Sequence, residues 1–99
     1  MLFRKENMEA AIEECRKTPG AVLLDVREAD EFCTGHIPGA VNLPLSEIGL
    51  VSLDRDTPIY AYCLWGTRSR RAVGILKDMG YTNVRSIGGI VRYKGKRET

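Results

Sequence analysis

The chain has 99 residues, 43% of them apolar, and its 15 basic and 13 acidic side chains leave a formal net charge of +2. That length fits one domain, residues 1–99, with a modest core of its own, and so even a charge balance gives no footprint for nucleic acid or a membrane surface. No apolar run approaches the roughly 20 residues of a membrane span, and the three cysteines, Cys15, Cys33 and Cys63, lack the number and CxxC spacing of a disulfide framework or zinc site.

Residues 2–4 suit a short first strand. No long apolar stretch follows Arg4 and Lys5, so the N-terminus does not read as a signal peptide, and a reducing, cytoplasmic setting is expected. Asn7 is placed to cap a helix in which Met8, Ala11, Ile12 and Cys15 share one face, and Thr18-Pro19-Gly20 stops it. Residues 21–26 form a nearly continuous apolar run, as in a strand buried on both faces, interrupted near its end by Asp25. Residues 28–32 suit a short helix, 35–39 a turn, 40–43 another strand, and 44–53 a helical turn or two. A further apolar run, 59–62, ends at Cys63, and a polar, glycine-containing stretch follows. Ala72, Val73, Leu76 and Met79 fall at helical spacing, with Gly80 suited to the residue just past the helix end. Residues 83–87 make a last strand before Gly88-Gly89 and a basic tail. Short buried strands alternating with helices predict an α/β fold, a parallel sheet flanked by helices on both faces. Sites in such sheets lie beyond the carboxyl ends of the strands, where Cys63 stands.

Three effects converge on a thiol in that place. A helix starting near residues 67–69 presents unpaired N–H groups and a partial positive charge. A curled loop points backbone N–H groups inward as an anion nest. Arg68 brings a full charge and a fork of donors. Each favours thiolate over thiol, and the same cradle suits an anionic substrate. Gly66 suits a sharp turn at positive φ. Thr67 and Ser69 suit helix capping or hydroxyl donation, and Trp65 the rim of the pocket. A cysteine at a strand end is by default a small buried hydrophobe; a glycine, an arginine and a helix start in this order set Cys63 apart.

These residues resemble the rhodanese family. The loop Cys63-Leu64-Trp65-Gly66-Thr67-Arg68-Ser69 resembles its active-site loop. Leu23-Leu24-Asp25-Val26-Arg27-Glu28 with Glu31-Phe32, and Gly35-His36-Ile37-Pro38-Gly39-Ala40-Val41-Asn42-Leu43-Pro44, resemble two further signatures in the expected order. Gly88-Gly89-Ile90, then Tyr93 and Gly95, resemble the closing segment, with Tyr93 where the family usually has tryptophan. The resemblance implies a five-stranded parallel sheet between helices. It implies that Cys63 takes a sulfane sulfur from a small anionic donor such as thiosulfate, or from a persulfide, and passes it to a thiol or cyanide through a Cys63 persulfide. Backbone N–H groups from Leu64 to Arg68 would surround the sulfur, and no metal or organic cofactor is implied.

Other readings stand beside this one. Phosphatases and arsenate reductases on this fold place the arginine one residue further on, whereas Arg68 is the fifth residue after Cys63, so the smaller pocket favours sulfur. A binding or regulatory module would more often lack the cysteine. A partner-specific sulfur carrier would dock its relay protein at Trp65. Asp25 and Arg27 are read as structural support behind the site, His36 as a turn-stabilising side chain, and Cys15 as core. Cys33 is read as filler, with a resolving thiol for Cys63 as the second reading. Arg70, Arg71, Arg92, Lys94, Lys96 and Arg97 predict a weakly positive rim that attracts anionic donors.

Overall fold

The computed structural model describes residues 7–99. The strand expected at residues 2–4 lies outside them. Asn7 accepts a hydrogen bond from the Ala10 N–H at 3.2 Å and caps α1, Met8–Lys17. β1, Val22–Asp25, follows, then α2, Ala29–Thr34, and β2, Val41–Asn42. A 3-10 helix, Leu45–Leu50, takes the place of the helical turns expected over 44–53. β3, Ile59–Cys63, leads through the loop into α3, Thr67–Asp78. β4, Val84–Gly89, and a short 3-10 turn, Ile90–Arg92, close the fold. Gly80 lies at φ +100°, the left-handed conformation that ends a helix.

Among the described residues, the four strands pair in parallel in the order β2-β1-β3-β4. The sheet therefore has four strands among the described residues, which corrects the expected five. The strands expected over 21–26, 40–43, 59–62 and 83–87 supply those four, and residues 2–4, expected as a short first strand, lie outside the described residues.

Alternation along the strands divides the core. Leu24, Val26, Ile59, Ala61, Cys63 and Val84 face Ala72, Val73 and Leu76 of α3 and Ile48 of the 3-10 helix. Leu23, Tyr60, Tyr62 and Ile87 face Met8, Ala11, Ile12 and Cys15 of α1. Helices thus cover both faces, as expected of buried parallel strands. The register between β3 and β4 slips once. Ala61 pairs with Ser86 but Tyr62 pairs with Gly88, leaving Ile87 as the extra residue of a bulge. Gly88, at φ +108°, supplies the backbone that this bend requires. The bulge lies beside the end of β3, where Cys63 stands.

Candidate active site

Cys63 is the last residue of β3 and is buried on the α3 side of the sheet. Its Sγ accepts N–H bonds from Gly66 at 3.0 Å and Ser69 at 3.3 Å, and lies 3.6 Å from Ser69 Oγ. Gly66 is the N-cap of α3 at φ +108°, the left-handed backbone anticipated for it. That conformation curls the loop so that the helix's first free N–H groups meet the sulfur. Of the amides expected from Leu64 to Arg68, only that of Gly66 bonds Sγ among the described residues, and Ser69 supplies the second. The nest is therefore smaller than expected and sits deeper in the helix.

The other loop residues divide by role. Leu64 is half-buried and packs on the α1 side. Trp65 is exposed at 71%, at the rim as expected. Thr67 is exposed and caps nothing, since α3 has no side-chain cap. Ser69 is fully buried, and its hydroxyl donates to Gly66 O at 3.0 Å. β4 runs close beneath this loop because Gly89, paired with Cys63, has no side chain. A Cβ there would collide with Leu64 O and would stand 2.6 Å from Trp65 Cα.

Arg68 differs from the sequence expectation. Its guanidinium forms a fork with Glu31 of α2, at 2.7 and 3.0 Å, rather than bonding the sulfur. Glu31 also accepts the Glu28 N–H at 3.0 Å in a capping box, so α2 and the loop are tied together. The Arg68 bond holds the Glu31 carboxyl at about 2, well below its ordinary 4.5. A carboxyl lowered in this way stabilises the fold fully above pH 4.5 and loses that contribution as pH falls toward 2. We expect Glu31→Gln to flatten the fall of the melting temperature across this acid range. The effect is about 0.5–1 kcal/mol, because the pair is roughly a third exposed.

Asp25, the last residue of β1, pairs with Arg27 just beyond it. Both are buried, at 0% and 3% exposure, and Arg27 Nη2 meets Asp25 Oδ2 at 2.7 Å. Arg27 also donates to Gly35 O at 2.8 Å. Burial alone would lower the Arg27 pKa, but its bond and charge pairing with Asp25 outweigh that and raise it. Asn42 clamps the carbonyls of Asp25 and Arg27 at 3.0 and 2.9 Å. His36 holds the turn as expected. Its ring stacks on Phe32 and its Nδ1 lies 3.0 Å from Phe32 O. Cys15 is buried in the core and Cys33 is exposed.

A cleft of about 310 Å³ opens beside the loop, lined by Trp65, Arg70, Ser86, Gly88, Gly89 and Arg92 among others. Arg70 and Arg92 had been assigned only to a diffuse positive rim. Ser86 was missed, although its signal was present: a hydroxyl two residues after Val84, on the strand face that packs against α3.

The family of rhodanese-like domains matches residues 7–96. The chain is 42% identical to the uncharacterized protein YqhL of Bacillus subtilis over 79 residues, covering 77% of this chain but only 63% of that protein. It is 34% identical to the thiosulfate sulfurtransferase GlpE of Pseudomonas putida over 89 residues, which are 88% of this chain and 80% of that one. Among solved structures, a rhodanese with anions from E. coli superimposes with a TM-score of 0.72 at 30% identity, over 80% of this chain and 98% of that one. A cysteine at the end of the central strand, held by the first turn of the following helix, with this match over nearly the whole sequence, makes the chain a member of the family of rhodanese-like domains.

Proposed function

We propose that this chain moves a sulfane sulfur from thiosulfate or a persulfide donor to a thiol or cyanide, carrying it as a Cys63 persulfide. One observation supports this above the rest. Cys63 Sγ accepts the N–H groups of Gly66 and Ser69 at the start of a 12-residue helix, where negative charge on sulfur is stabilised.

With thiosulfate, the Cys63 thiolate bonds to the sulfane sulfur. The donor S–S bond breaks with its electron pair leaving on sulfite. In the second half, an acceptor thiolate bonds to the outer sulfur. The Sγ–S bond then breaks and its pair returns to Cys63. No oxidant or reductant enters, and splitting one transfer into two is the usual gain of covalent catalysis. A reducing, cytoplasmic setting belongs to the proposal, since it keeps free thiols available.

The test is intact mass after incubation with thiosulfate. A gain of one sulfur atom, removed again by a thiol, is the expected result. No gain, together with efficient hydrolysis of aryl phosphates, would overturn the reading in favour of a phosphatase.

With Arg68 held by Glu31, the cations that line the cleft are Arg70 and Arg92. Arg70→Gln is expected to raise KM for thiosulfate about two- to fivefold with kcat little changed, a difference that shrinks as salt screens the charge. Steady-state kinetics at low and high salt check this. An unchanged KM at low salt counts against a role for the cleft in donor capture.

A further inference from the structure

Ser86 stands opposite Ala61 in the β3–β4 register. Paired residues of parallel strands face the same side of a sheet. Ser86 therefore lies on the face that carries Ala61, Cys63 and Val84, where strand alternation asks for an apolar side chain. Its Oγ is 2.7 Å from Ser69 Oγ, which is 3.6 Å from Cys63 Sγ. Ser69 is fully buried, while Ser86 is half-buried and lines the cleft. Two hydroxyls thus run from a buried sulfur to an open cleft.

A serine hydroxyl has one proton to give and can accept two bonds. Ser69 Oγ has three polar neighbours: Gly66 O, Ser86 Oγ and Cys63 Sγ. When the sulfur is a thiol, it can donate to Ser69 Oγ, and the Ser69 proton goes to Gly66 O. When the sulfur is a thiolate, that proton is needed on the sulfur. Gly66 O then keeps the Arg70 N–H at 3.2 Å, so turning the proton leaves no buried acceptor unpaired. The Ser86 hydroxyl, donated to Ser69 Oγ, fills the lone pair that the thiol has vacated.

We propose that Ser86 is a positioning residue whose hydroxyl, by donating to Ser69 Oγ, holds the Ser69 proton on Cys63 Sγ whenever that sulfur is anionic. The inference rests on the proposed sulfur transfer for its catalytic meaning. Sγ carries charge before it bonds to the donor's sulfane sulfur and again after the acceptor takes that sulfur. While the Sγ–S bond exists, the Ser69 proton returns to Gly66 O. Arg68 is paired with Glu31, and changes at Ser86 leave that pair in place.

The experiment compares Ser86→Val with Ser86→Thr, which match in shape and differ in the hydroxyl, with Ser86→Ala as a third variant. All are made on a Cys33→Ser background, because Cys33 is exposed and would be alkylated too. Iodoacetamide modification of Cys63 is followed by peptide mass across pH, and thiosulfate loading is followed in the same proteins. Near neutral pH, Ser86→Val and Ser86→Ala should react about fivefold more slowly, the size expected for losing support of a hydrogen bond to a charged group. At high pH they should match the parent, and Ser86→Thr should match it throughout. Superimposable profiles, or one constant factor at every pH as from a loosened loop, would overturn the proposal. If the parent itself fails to load sulfur while the alkylation difference persists, the sulfur-transfer reading falls and the positioning role of Ser86 stands.

Discussion

Cys63→Ser is expected to take up no sulfur from thiosulfate, while Cys15→Ser and Cys33→Ser each still gain one atom in intact mass. Serine preserves the size of the side chain and its place between the Gly66 and Ser69 N–H groups, so the fold and melting temperature should change little. What is lost is the nucleophile, because a hydroxyl in the same cradle stays protonated at neutral pH and forms no persulfide. Cys15 lies buried against the sheet, where a thiol acts as a small hydrophobe. Cys33 is exposed but has no helix start aimed at its sulfur, since it lies inside α2. Sulfur found on Cys33 in the Cys63→Ser protein would move the carrier role away from the β3 loop.

Asp25→Ala is expected to cost about 3–5 kcal/mol, because it leaves the buried Arg27 charge without its counter-ion. Small domains commonly hold only about 5–15 kcal/mol in total, so the variant should be partly unfolded at moderate temperature. Arg27 keeps its bond to Gly35 O, but one carbonyl does not balance a guanidinium at 3% exposure. Replacing both residues, Asp25→Leu with Arg27→Met, removes the desolvated charges together and should recover most of the loss. Urea melts of the single and double variants separate the cases. A single variant within about 1 kcal/mol of the parent would show that water reaches Arg27 and that the pair is not a buried one.

Much of the site was legible in the sequence because its rules are local. The apolar runs marked where strands are buried, and β3 ends at Cys63 as the run from Ile59 indicates. Asn7 caps α1, and Gly66 takes the positive φ anticipated for a sharp turn, since both depend on neighbours within a few residues. The four-stranded sheet order, in contrast, depends on which runs find partners, and no spacing along the chain states that.

Local chain rules suffice for a cysteine to end a buried strand, for a glycine to turn the chain behind it, and for a helix to begin within reach of its sulfur. Backbone sterics and hydrogen-bond geometry fix those features over fewer than about ten residues. The tertiary structure alone decided where the charges and hydroxyls go. Arg68 meets Glu31 from 37 positions away, and Ser69 meets Ser86 from 17. Both contacts exist because the parallel sheet sets β1 and β4 on either side of β3, bringing α2 and the β4 bulge against one loop. A charge goes to the partner that packing brings within reach, so the motif arginine became part of the frame and an unremarked serine came to stand behind the sulfur.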